Sequence, residues 1–377
     1  MINFRALATP AVRAAHRHIG FSTAAARAID VRSDTVTQPS AGMIMAMMDA
    51  RTGDDVYGED PSINELCRVA AETLGKEAAL FVPSGTMGNL VSLAALARGS
   101  GLGSEVLVGD ESHIYHYEQG GMSTLLGLSQ HVVRTAPDGT LPLEEVAKAC
   151  RPDDAHYARS TAVAVENTHN RCGGRVLPLE YMQDLRDLAD ERSLSVHVDG
   201  ARLFNAAEAL SVPVWKLASC ADTVTVCLSK GLGAPVGSVV AGRASLIAQA
   251  HRTRKMLGGG MRQAGSLAGA GLFALRENVS GLARDHKNAR MMAKLLGACK
   301  FIHVDAAAVE SNIVYFDVPG LDAEAVVSAA KAEGVLLSSY GTSRLRLVTH
   351  LQVSDTQAER VVDVLVKAVE EVAQQLQ

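Results

Sequence analysis

Residues 194–202 read Leu-Ser-Val-His-Val-Asp-Gly-Ala-Arg, and residues 223–231 read Thr-Val-Thr-Val-Cys-Leu-Ser-Lys-Gly. Each stretch begins with a short apolar run rich in valine, typical of a buried strand, and then places a charged residue, Asp199 or Lys230, soon after it. Helical patterns such as 179–192 separate further runs of this kind, at 77–83, 105–108, 161–165 and 236–240. This alternation predicts an α/β fold with a mostly parallel sheet and right-handed crossovers.

The sequence pattern changes past Arg276. A helical segment there leads into short strands and helices, at 282–296, 313–316, 323–333, 344–348 and 356–374. No low-complexity linker or internal repeat divides the chain before that point. We therefore expect a large domain over residues 30–276 and a smaller α+β domain over residues 277–377 of the 377-residue chain.

Composition excludes several classes of protein. Hydrophobic residues make up 47% of the chain and charged residues 20%, which suits a packed core and argues against a disordered chain. The net charge of −5 predicts no nucleic-acid-binding surface, and no apolar run reaches the ~18 residues of a membrane-spanning helix. The six cysteines form no Cys-x-x-Cys pair, which argues against a zinc ribbon or a disulfide scaffold and favours a reducing compartment. No metal site is predicted.

Residues 1–29 differ in composition from the rest of the chain. They contain four arginines, no lysine and no acidic residue, and the first carboxylate is that of Asp30. An arginine-rich, acid-free segment without a compact apolar stretch is typical of an organellar transit peptide. We expect a mitochondrial location, with the chloroplast as the alternative. If the segment is only a disordered tail, the expected location is the cytoplasm. The fold is expected to start at Asp30.

Polar residues follow three of the predicted strands. Glu166 to Asn170 follow the first, Asp199 the second and Lys230 the third. The carboxyl ends of parallel strands share one edge of the sheet, so these residues are expected to meet at one site. Alone, Asp199 could be a helix N-cap and Lys230 a solvated loop residue. Together they suit pyridoxal phosphate, whose aldehyde reacts with a lysine and whose ring nitrogen pairs with a carboxylate.

A phosphate-binding turn is expected at residues 83–89. This Pro-Ser-Gly-Thr-Met-Gly-Asn stretch follows the apolar run 79–82 and opens a helical stretch at 90–97. The start of a helix offers unpaired backbone N–H groups and the positive end of the helix dipole, both of which favour an anion. Taken alone, such a turn is weak support, since many glycine-rich turns only satisfy backbone geometry.

Several motifs together resemble the L-threonine aldolases, which are pyridoxal-phosphate enzymes of the aspartate-aminotransferase fold (fold type I). The resemblance runs from about Asp30 to about Leu351. It is carried, in order, by Arg-Ser-Asp-Thr-Val-Thr (32–37), Gly-Asp-Asp-Val-Tyr-Gly (53–58), Ser-Gly-Thr-Met-Gly-Asn (84–89), Glu-Asn-Thr-His-Asn (166–170), His-Val-Asp-Gly-Ala-Arg (197–202), Leu-Ser-Lys-Gly (228–231) and Gly-Gly-Gly-Met-Arg-Gln (258–263). The implied reaction is retro-aldol cleavage of L-threonine or L-allo-threonine to glycine and acetaldehyde.

The resemblance also implies roles for individual residues. Lys230 would carry the cofactor, Asp199 would hold its pyridine nitrogen, and Gly85 and Thr86 would hold its phosphate. The imidazole of His113 would stack on the cofactor ring. Three residues would take the substrate carboxylate: Ser33, Arg202, which lies beside Asp199, and Arg346 of the small domain.

A base must accept the proton of the β-hydroxyl group, and a histidine titrates in the right range. His113 and His156 match family positions, and His169 is a third candidate by chemistry. We favour His113 and His156 acting around the hydroxyl.

Two further residues match family positions that reach into a neighbouring subunit. Tyr57 would approach the substrate of the neighbouring subunit, and Arg262 would approach the cofactor phosphate of that subunit. Lys255 lies nearby on the same stretch of sequence as Arg262. A shared site requires at least a dimer, and the family is commonly tetrameric. Cys172 lies close to the Glu166–Asn170 cluster, and we favour an inert packed thiol over a reactive one.

Two alternatives stay open. One is a different reaction on the same fold, either β-elimination or transamination of a small amino acid. The other is a protein that binds pyridoxal phosphate without catalysis, which is disfavoured because every chemically required residue type is present. In all cases the expected partner is a small molecule.

Overall fold

The computed structural model describes residues 28–100 and 103–375. The predicted transit peptide therefore lies outside the described residues, apart from Ala28 and Ile29. Within the described part of the chain the strands are β1 (Ile29–Asp30), β2 (Ala78–Val82), β3 (Ser104–Gly109), β4 (Ser129–Val133), β5 (Arg159–Glu166), β6 (Ser195–Asp199), β7 (Thr223–Cys227), β8 (Ser238–Gly242), β9 (Ile313–Asp317), β10 (Val335–Leu336), β11 (Ser338–Ser339) and β12 (Arg344–Val348).

The α-helices pack on both faces of the main sheet and build the carboxy-terminal part. They are α1 (Ala41–Asp49), α2 (Pro61–Leu74), α3 (Gly85–Ala97), α4 (His113–His116), α5 (Gly121–Leu126), α6 (Leu143–Ala149), α7 (Leu179–Glu191), α8 (Leu203–Leu210), α9 (Val214–Ser219), α10 (Ala244–Met256), α11 (Gly265–Phe273), α12 (Leu282–Leu296), α13 (Ala323–Ala332) and α14 (Asp355–Gln374). In the described residues, no helix combines the length and apolar character needed to cross a membrane.

The main sheet has seven strands in the order β2-β8-β7-β6-β5-β3-β4. Neighbours from β7 to β4 are parallel, while β8 runs antiparallel to both β2 and β7. The prediction of a mostly parallel α/β sheet is confirmed. The parallel strands read as nearly continuous apolar runs because helices cover both faces of the sheet.

Two details of the sheet differ from the sequence prediction. The run at 236–240 predicts a strand two residues too early, because Gly237 has φ 103° and forms a turn before β8 starts at Ser238. Strand β4 at the sheet edge is not predicted at all. Its residues Gln130 and His131 are polar and only half-buried, so its apolar signal is weak.

The described residues form two large hydrophobic clusters. One surrounds the main sheet and extends as far as Leu282, and the other takes in residues from Ala289 to Ala373. Helix α12 contributes to both clusters and so joins the two parts of the molecule. The predicted boundary at residue 276 stays a prediction.

The second cluster also includes Ile29 and Val31 from the start of the described chain. Strand β1 pairs in parallel with β10, where Ile29 lies opposite Val335, and the Ile29 N–H donates to the Gly334 carbonyl at 2.9 Å. The folded structure therefore includes Ile29, one residue before the predicted start at Asp30.

Candidate active site

The polar residues predicted to converge do so at the carboxyl edge of the sheet. Glu166 at the end of β5 lies opposite Asp199 at the end of β6, and Asp199 lies opposite Thr225 of β7. Lys230 follows the end of β7. Because parallel strands end at the same edge, residues far apart in sequence line one cavity of about 290 Å³, including Asp199, Lys230 and His113.

The predicted phosphate-binding turn begins helix α3. Ser84 caps the helix by accepting a hydrogen bond from the Met87 N–H at 3.2 Å. The N–H groups of Gly85 and Thr86, the first two residues of the helix, have no partners inside the helix. Both residues line the cavity. A Cβ atom on Gly85 would lie 2.9 Å from the Cys227 sulfur, so only glycine allows α3 to approach β7 this closely.

Lys230 is half-buried and lines the cavity. Its ammonium group makes no hydrogen bond or ion pair with any described residue. A partly buried lysine without a partner lowers the stability of the folded protein, so folding does not explain its position. Its amine is available to react with a ligand in the cavity.

Asp199 is buried, with 3% of its surface exposed. One carboxylate oxygen accepts from the Ala201 N–H at 3.1 Å and the other from the Asn89 side-chain amide at 2.9 Å. Helix α8 instead begins after Arg202, so Asp199 does not act as a helix N-cap. Its carboxylate therefore faces the cavity as a buried acceptor.

His113 begins helix α4 just after β3, and its backbone N–H donates to the Glu166 carboxylate at 2.7 Å. Its ring nitrogen Nδ1 lies 3.0 Å from Glu118 Oε1. The other ring nitrogen, Nε2, makes no hydrogen bond with any described residue. Although burial opposes the charged form, the hydrogen bond with Glu118 and the charge of Asp199 raise the pKa of His113 above its ordinary value.

A second cavity of about 280 Å³ adjoins the first and shares Lys230, His113 and Asp199 with it. Its lining brings together Ser33, Arg202 and Arg346, the residues predicted for the substrate carboxylate.

Arg346 of β12 is buried and has no carboxylate partner among the described residues. Its guanidinium donates to the Asn170 side-chain oxygen at 2.9 Å and to the Arg32 carbonyl at 3.0 Å, both neutral acceptors. Nε makes no hydrogen bond, and the group lies 4.8 Å from the centre of the Tyr340 ring. A buried cation without a counterion favours binding of an anion in this cavity.

Arg202, in contrast, already has an anionic partner. Its Nε and Nη2 donate to the two carboxylate oxygens of Asp34 at 2.8 and 2.7 Å. Arg202 therefore has three N–H groups left for a ligand, two on Nη1 and one on Nη2.

The structure places the remaining predicted residues outside both cavities. His156 pairs with Asp154 at 2.6 Å and its side chain is 87% exposed. Tyr57 is 74% exposed, and Arg262 is exposed and pairs with Asp54 at 2.9 Å. None of the three lines either of the two cavities of its own chain.

His169 and Cys172 also lie apart from the two cavities. His169 is buried, and its Nδ1 accepts from the Cys172 N–H at 3.4 Å, which suits a structural role in the turn after β5. Burial, with the nearby Glu166 and Glu111 carboxylates, raises the pKa of Cys172 to about 12, so the thiol stays protonated and unreactive.

Several residues of the site have no role in the sequence analysis. Asp34 and Asn89 lie inside quoted motifs, at 32–37 and 84–89, and could have been found as the polar residues of those motifs. Glu118 and Tyr340 carry no recognisable signal, because only the tertiary structure brings them to the cavity.

The donor set fits the predicted cofactor, pyridoxal phosphate. The first cavity combines a lysine without a partner, a buried carboxylate and the free N–H groups of a helix start. These groups match, in turn, the aldehyde, the ring nitrogen and the phosphate of that molecule. The fit rests on the chain's own geometry.

Comparisons with known proteins agree with this geometry. A family model described as beta-eliminating lyase matches residues 30–319. Low-specificity L-threonine aldolase 1 of Arabidopsis thaliana is 46% identical over 333 residues, covering 87% of this chain and 92% of that protein. The low specificity L-threonine aldolase of Escherichia coli strain K12 is also 46% identical over 333 residues, covering 88% and 97%.

A solved structure supports the fold assignment. The threonine aldolase of Leishmania major superposes with a TM-score of 0.76 at 21% identity, covering 90% of this chain and 99% of that one. The prediction of fold type I is thereby confirmed. The matched family model and the identity to its relatives establish that the chain belongs to the beta-eliminating lyase family, together with the low-specificity L-threonine aldolases.

Proposed function

We propose that the protein cleaves the Cα–Cβ bond of L-threonine and L-allo-threonine and releases glycine and acetaldehyde. The observation that carries this proposal is the buried guanidinium of Arg346, which has no counterion among the described residues, in a cavity that also contains Lys230 and His113. That cavity offers a cation for an amino-acid carboxylate beside the lysine that would carry the cofactor. The identity of 46% to two low-specificity L-threonine aldolases supports the same reaction.

The cofactor of this family is pyridoxal phosphate, and three parts of the first cavity would hold it. Lys230 would bear it covalently, Asp199 would hold the ring nitrogen, and the start of α3 at Gly85 and Thr86 would hold the phosphate. Bound there, it supplies an electron sink for the pair left on Cα when the Cα–Cβ bond breaks.

The second cavity would position the substrate. Arg346 meets the carboxylate with its guanidinium, and Ser33 lies in the same lining. Arg202 can contribute the N–H groups that Asp34 does not occupy, two on Nη1 and one on Nη2. Since Arg346 lies on β12 and Lys230 follows β7, substrate binding joins the carboxy-terminal part to the main sheet.

His113 is the base that the chain itself supplies. It lines both cavities, and its free Nε2 can accept the proton of the β-hydroxyl group. His156 lies on the surface, so it could act only in the site of a neighbouring subunit.

Product analysis with L-threonine tests the proposed reaction. We expect acetaldehyde and glycine in equal amounts. Pyruvate from L-serine, or a 2-oxo acid from L-threonine, without acetaldehyde would instead show elimination or transamination. Cofactor binding with none of these products would show a non-catalytic carrier.

Variants on β12 test the carboxylate site. Arg346→Leu should raise KM for threonine about 10- to 100-fold, the equivalent of about 1.5–3 kcal/mol for hydrogen bonds to a charged group. Arg344→Leu is the matched control: it lies two residues away, pairs with Asp317 and is exposed. Equal effects of the two variants would contradict the assignment.

The exposed apolar surface supports the proposal of a homo-oligomer, expected to be a tetramer. Helix α1 exposes Met45 and Met48, the latter by 73%, and Tyr57 and Met256 are exposed as well. The Asp55 N–H donates to the Arg262 carbonyl at 3.2 Å, so the Tyr57 and Arg262 segments are neighbours on the surface. Sedimentation equilibrium should give a tetramer, and a monomer at micromolar concentration would contradict the proposal.

We also propose mitochondrial import with removal of the amino-terminal segment. A chain that starts at Ala28 keeps β1 and should be as stable as the full chain, whereas a start at Val31 removes the Ile29 pairing with Val335 and should lower stability. A fluorescent fusion of residues 1–27 should enter mitochondria. Uptake by chloroplasts would establish the alternative, and a diffuse cytosolic signal would contradict targeting.

A further inference from the structure

One side-chain amide bridges two carboxylates behind the cavity. The Nδ2 group of Asn89 donates to Asp199 Oδ2 at 2.9 Å and to Glu118 Oε1 at 2.8 Å. Its oxygen lies 3.0 Å from His197 Nε2, which must therefore carry a proton. Complete burial lowers the pKa of His197 to about 4, so this histidine is neutral and fixes the orientation of the amide.

Glu118 is the member of this cluster that also touches His113. It is buried, and its Oε1 lies 3.0 Å from His113 Nδ1. The polar atoms of His113, Glu118 and Asp199 lie within 4.8 Å of one another. Gln119, which follows Glu118, has φ 54°, a left-handed conformation uncommon for a residue other than glycine. The turn thus holds Glu118 in the cluster despite a local conformational cost.

We propose that Glu118 is a positioning residue, whose carboxylate accepts a hydrogen bond from the Nδ1–H group of His113 and so leaves the Nε2 lone pair as the proton acceptor of the site. The assignment of the β-hydroxyl as the source of that proton rests on the proposed function. The tautomer of His113 does not rest on the proposed function, because it follows from the contact of His113 with ionised Glu118. No sequence motif marks this residue.

With Glu118 ionised, its contact with His113 sets the tautomer of the neutral imidazole. An ionised carboxylate has acceptors only, so Nδ1 must carry the proton in its contact with Glu118. The same Oε1 accepts from Asn89, which keeps the carboxylate in place. A carboxylate that holds an imidazole in one tautomer and stabilises its protonated form is a recurring device in general-base catalysis.

Other charged groups also line the cavity around the His113 imidazole and contribute to its electrostatic environment. They come from β5, β6, the segment after β7, the start of α8 and β12, and are Glu166, Asp199, Lys230, Arg202 and Arg346. Burial and the Asp199 charge raise the pKa of Glu118 itself, while its bonds to His113 and Asn89 oppose this. Replacement of Glu118 alone leaves all these neighbours unchanged.

The test replaces the carboxylate by its neutral isostere in the holoenzyme. Glu118→Gln should lower the pKa of His113 by about 1 unit, because a negative charge in contact is lost. The acid limb of the kcat profile should move to lower pH by the same amount. The plateau kcat should fall about 10-fold or more, with KM for threonine nearly unchanged, because Arg346 still binds the carboxylate.

A matched control exists on strand β3. Glu105 is a second buried glutamate beside a histidine, with Oε1 3.3 Å from His131 Nδ1, and it lies outside both cavities. Glu105→Gln should lower stability but leave the pKa of His113 and the acid limb in place. An equal shift in both variants would show a general effect of stability and overturn the proposal.

The tautomer is read directly from nitrogen NMR of histidine-labelled holoenzyme, with His113 assigned by loss of its signal in His113→Asn. Above the pKa, the wild type should show a protonated Nδ1 and an unprotonated Nε2. A protonated Nε2, or an unchanged pKa in Glu118→Gln, would overturn the proposal. If Glu118→Gln does not fold, the NMR measurement of the His113 tautomer in the wild type is sufficient to support or overturn the proposal. Failure to release acetaldehyde alongside the expected tautomer would overturn only the proposed function.

Discussion

Arg202 and Asp34, 168 residues apart in sequence, form a bidentate ion pair in the buried wall of the site. Nε donates to Oδ2 at 2.8 Å and Nη2 to Oδ1 at 2.7 Å, and the Asn312 amide donates to Asp34 at 3.3 Å. Against the cost of burial, the Arg202 charge holds the pKa of Asp34 well below its ordinary value. The pair ties the amino-terminal segment to the start of α8 beside Lys230.

Loss of this pair should destabilise the protein strongly. Asp34→Asn leaves a buried guanidinium unpaired, which costs about 3–5 kcal/mol of unfolding free energy. Asp317→Asn is the control: it breaks the equally bidentate but exposed pair with Arg344, worth about 1 kcal/mol or less. Urea unfolding of both variants checks the difference, and similar losses would contradict the importance of burial.

Lys230→Ala should abolish covalent attachment of the cofactor and aldol cleavage together, because Lys230 is the lysine of both cavities. Borohydride reduction followed by peptide mapping gives the readout. The exposed Lys148→Ala, which loses only a pair with Glu145, should keep both properties. A reduced cofactor adduct at another lysine in Lys230→Ala would refute the assignment.

Asp199→Asn should bind the cofactor more weakly and lose most turnover. A charge-assisted hydrogen bond contributes about 1.5–3 kcal/mol to binding, and the loss in the carbanion-like transition state is larger. Asp222→Asn, which removes a carboxylate that accepts from the Val196 N–H near the other end of β6, should leave cofactor affinity unchanged. Cofactor titration and kcat of the loaded enzyme give the comparison; near-normal turnover would rule out this role.

Asp285→Asn should change the pH dependence of stability. Both carboxylate oxygens of this buried residue lack hydrogen bonds, and burial raises its pKa to about 7. Between about pH 4 and that value the unfolded chain ionises while the folded one does not, so wild-type stability falls as pH rises.

The variant lacks this loss, so its stability relative to wild type should increase from pH 5 to pH 8. Urea unfolding at several pH values measures the difference. Asp355→Asn, which removes an exposed carboxylate paired with Lys287, should show no such gain. A constant difference for Asp285→Asn would contradict a neutral buried carboxyl group.

Arg262 tests the proposed sharing of sites between subunits. Its side chain is exposed and lies outside both cavities of its own chain, so it would contribute to the neighbour's phosphate site. Arg262→Ala and Lys230→Ala should each be nearly inactive. A hybrid dimer of the two combines an intact Lys230 with an intact Arg262 in one site, so mixing should restore activity. Hybrids that form but stay inactive would show that the site is not shared.

The sequence by itself determined the type of fold and the position of the site. Valine-rich runs such as 195–199 and 223–227 can be buried on both faces, which restricts them to a covered parallel sheet. Once the strands are parallel, their carboxyl ends share one edge, so Asp199 and Lys230 must lie close together. Both conclusions depend on local apolar patterns and on chain direction, which are visible residue by residue.

Only the tertiary structure decided which polar groups support these residues. Asn89 on α3 reaches Asp199, 110 residues away, and Glu118 meets His113 through a turn with no sequence signal. It also decided that Ile29 pairs with Val335, and that His156 lies on the surface while His113 lines the cavity. A side chain's partners depend on distances between elements far apart in the chain, and those distances are set by packing rather than by local pattern.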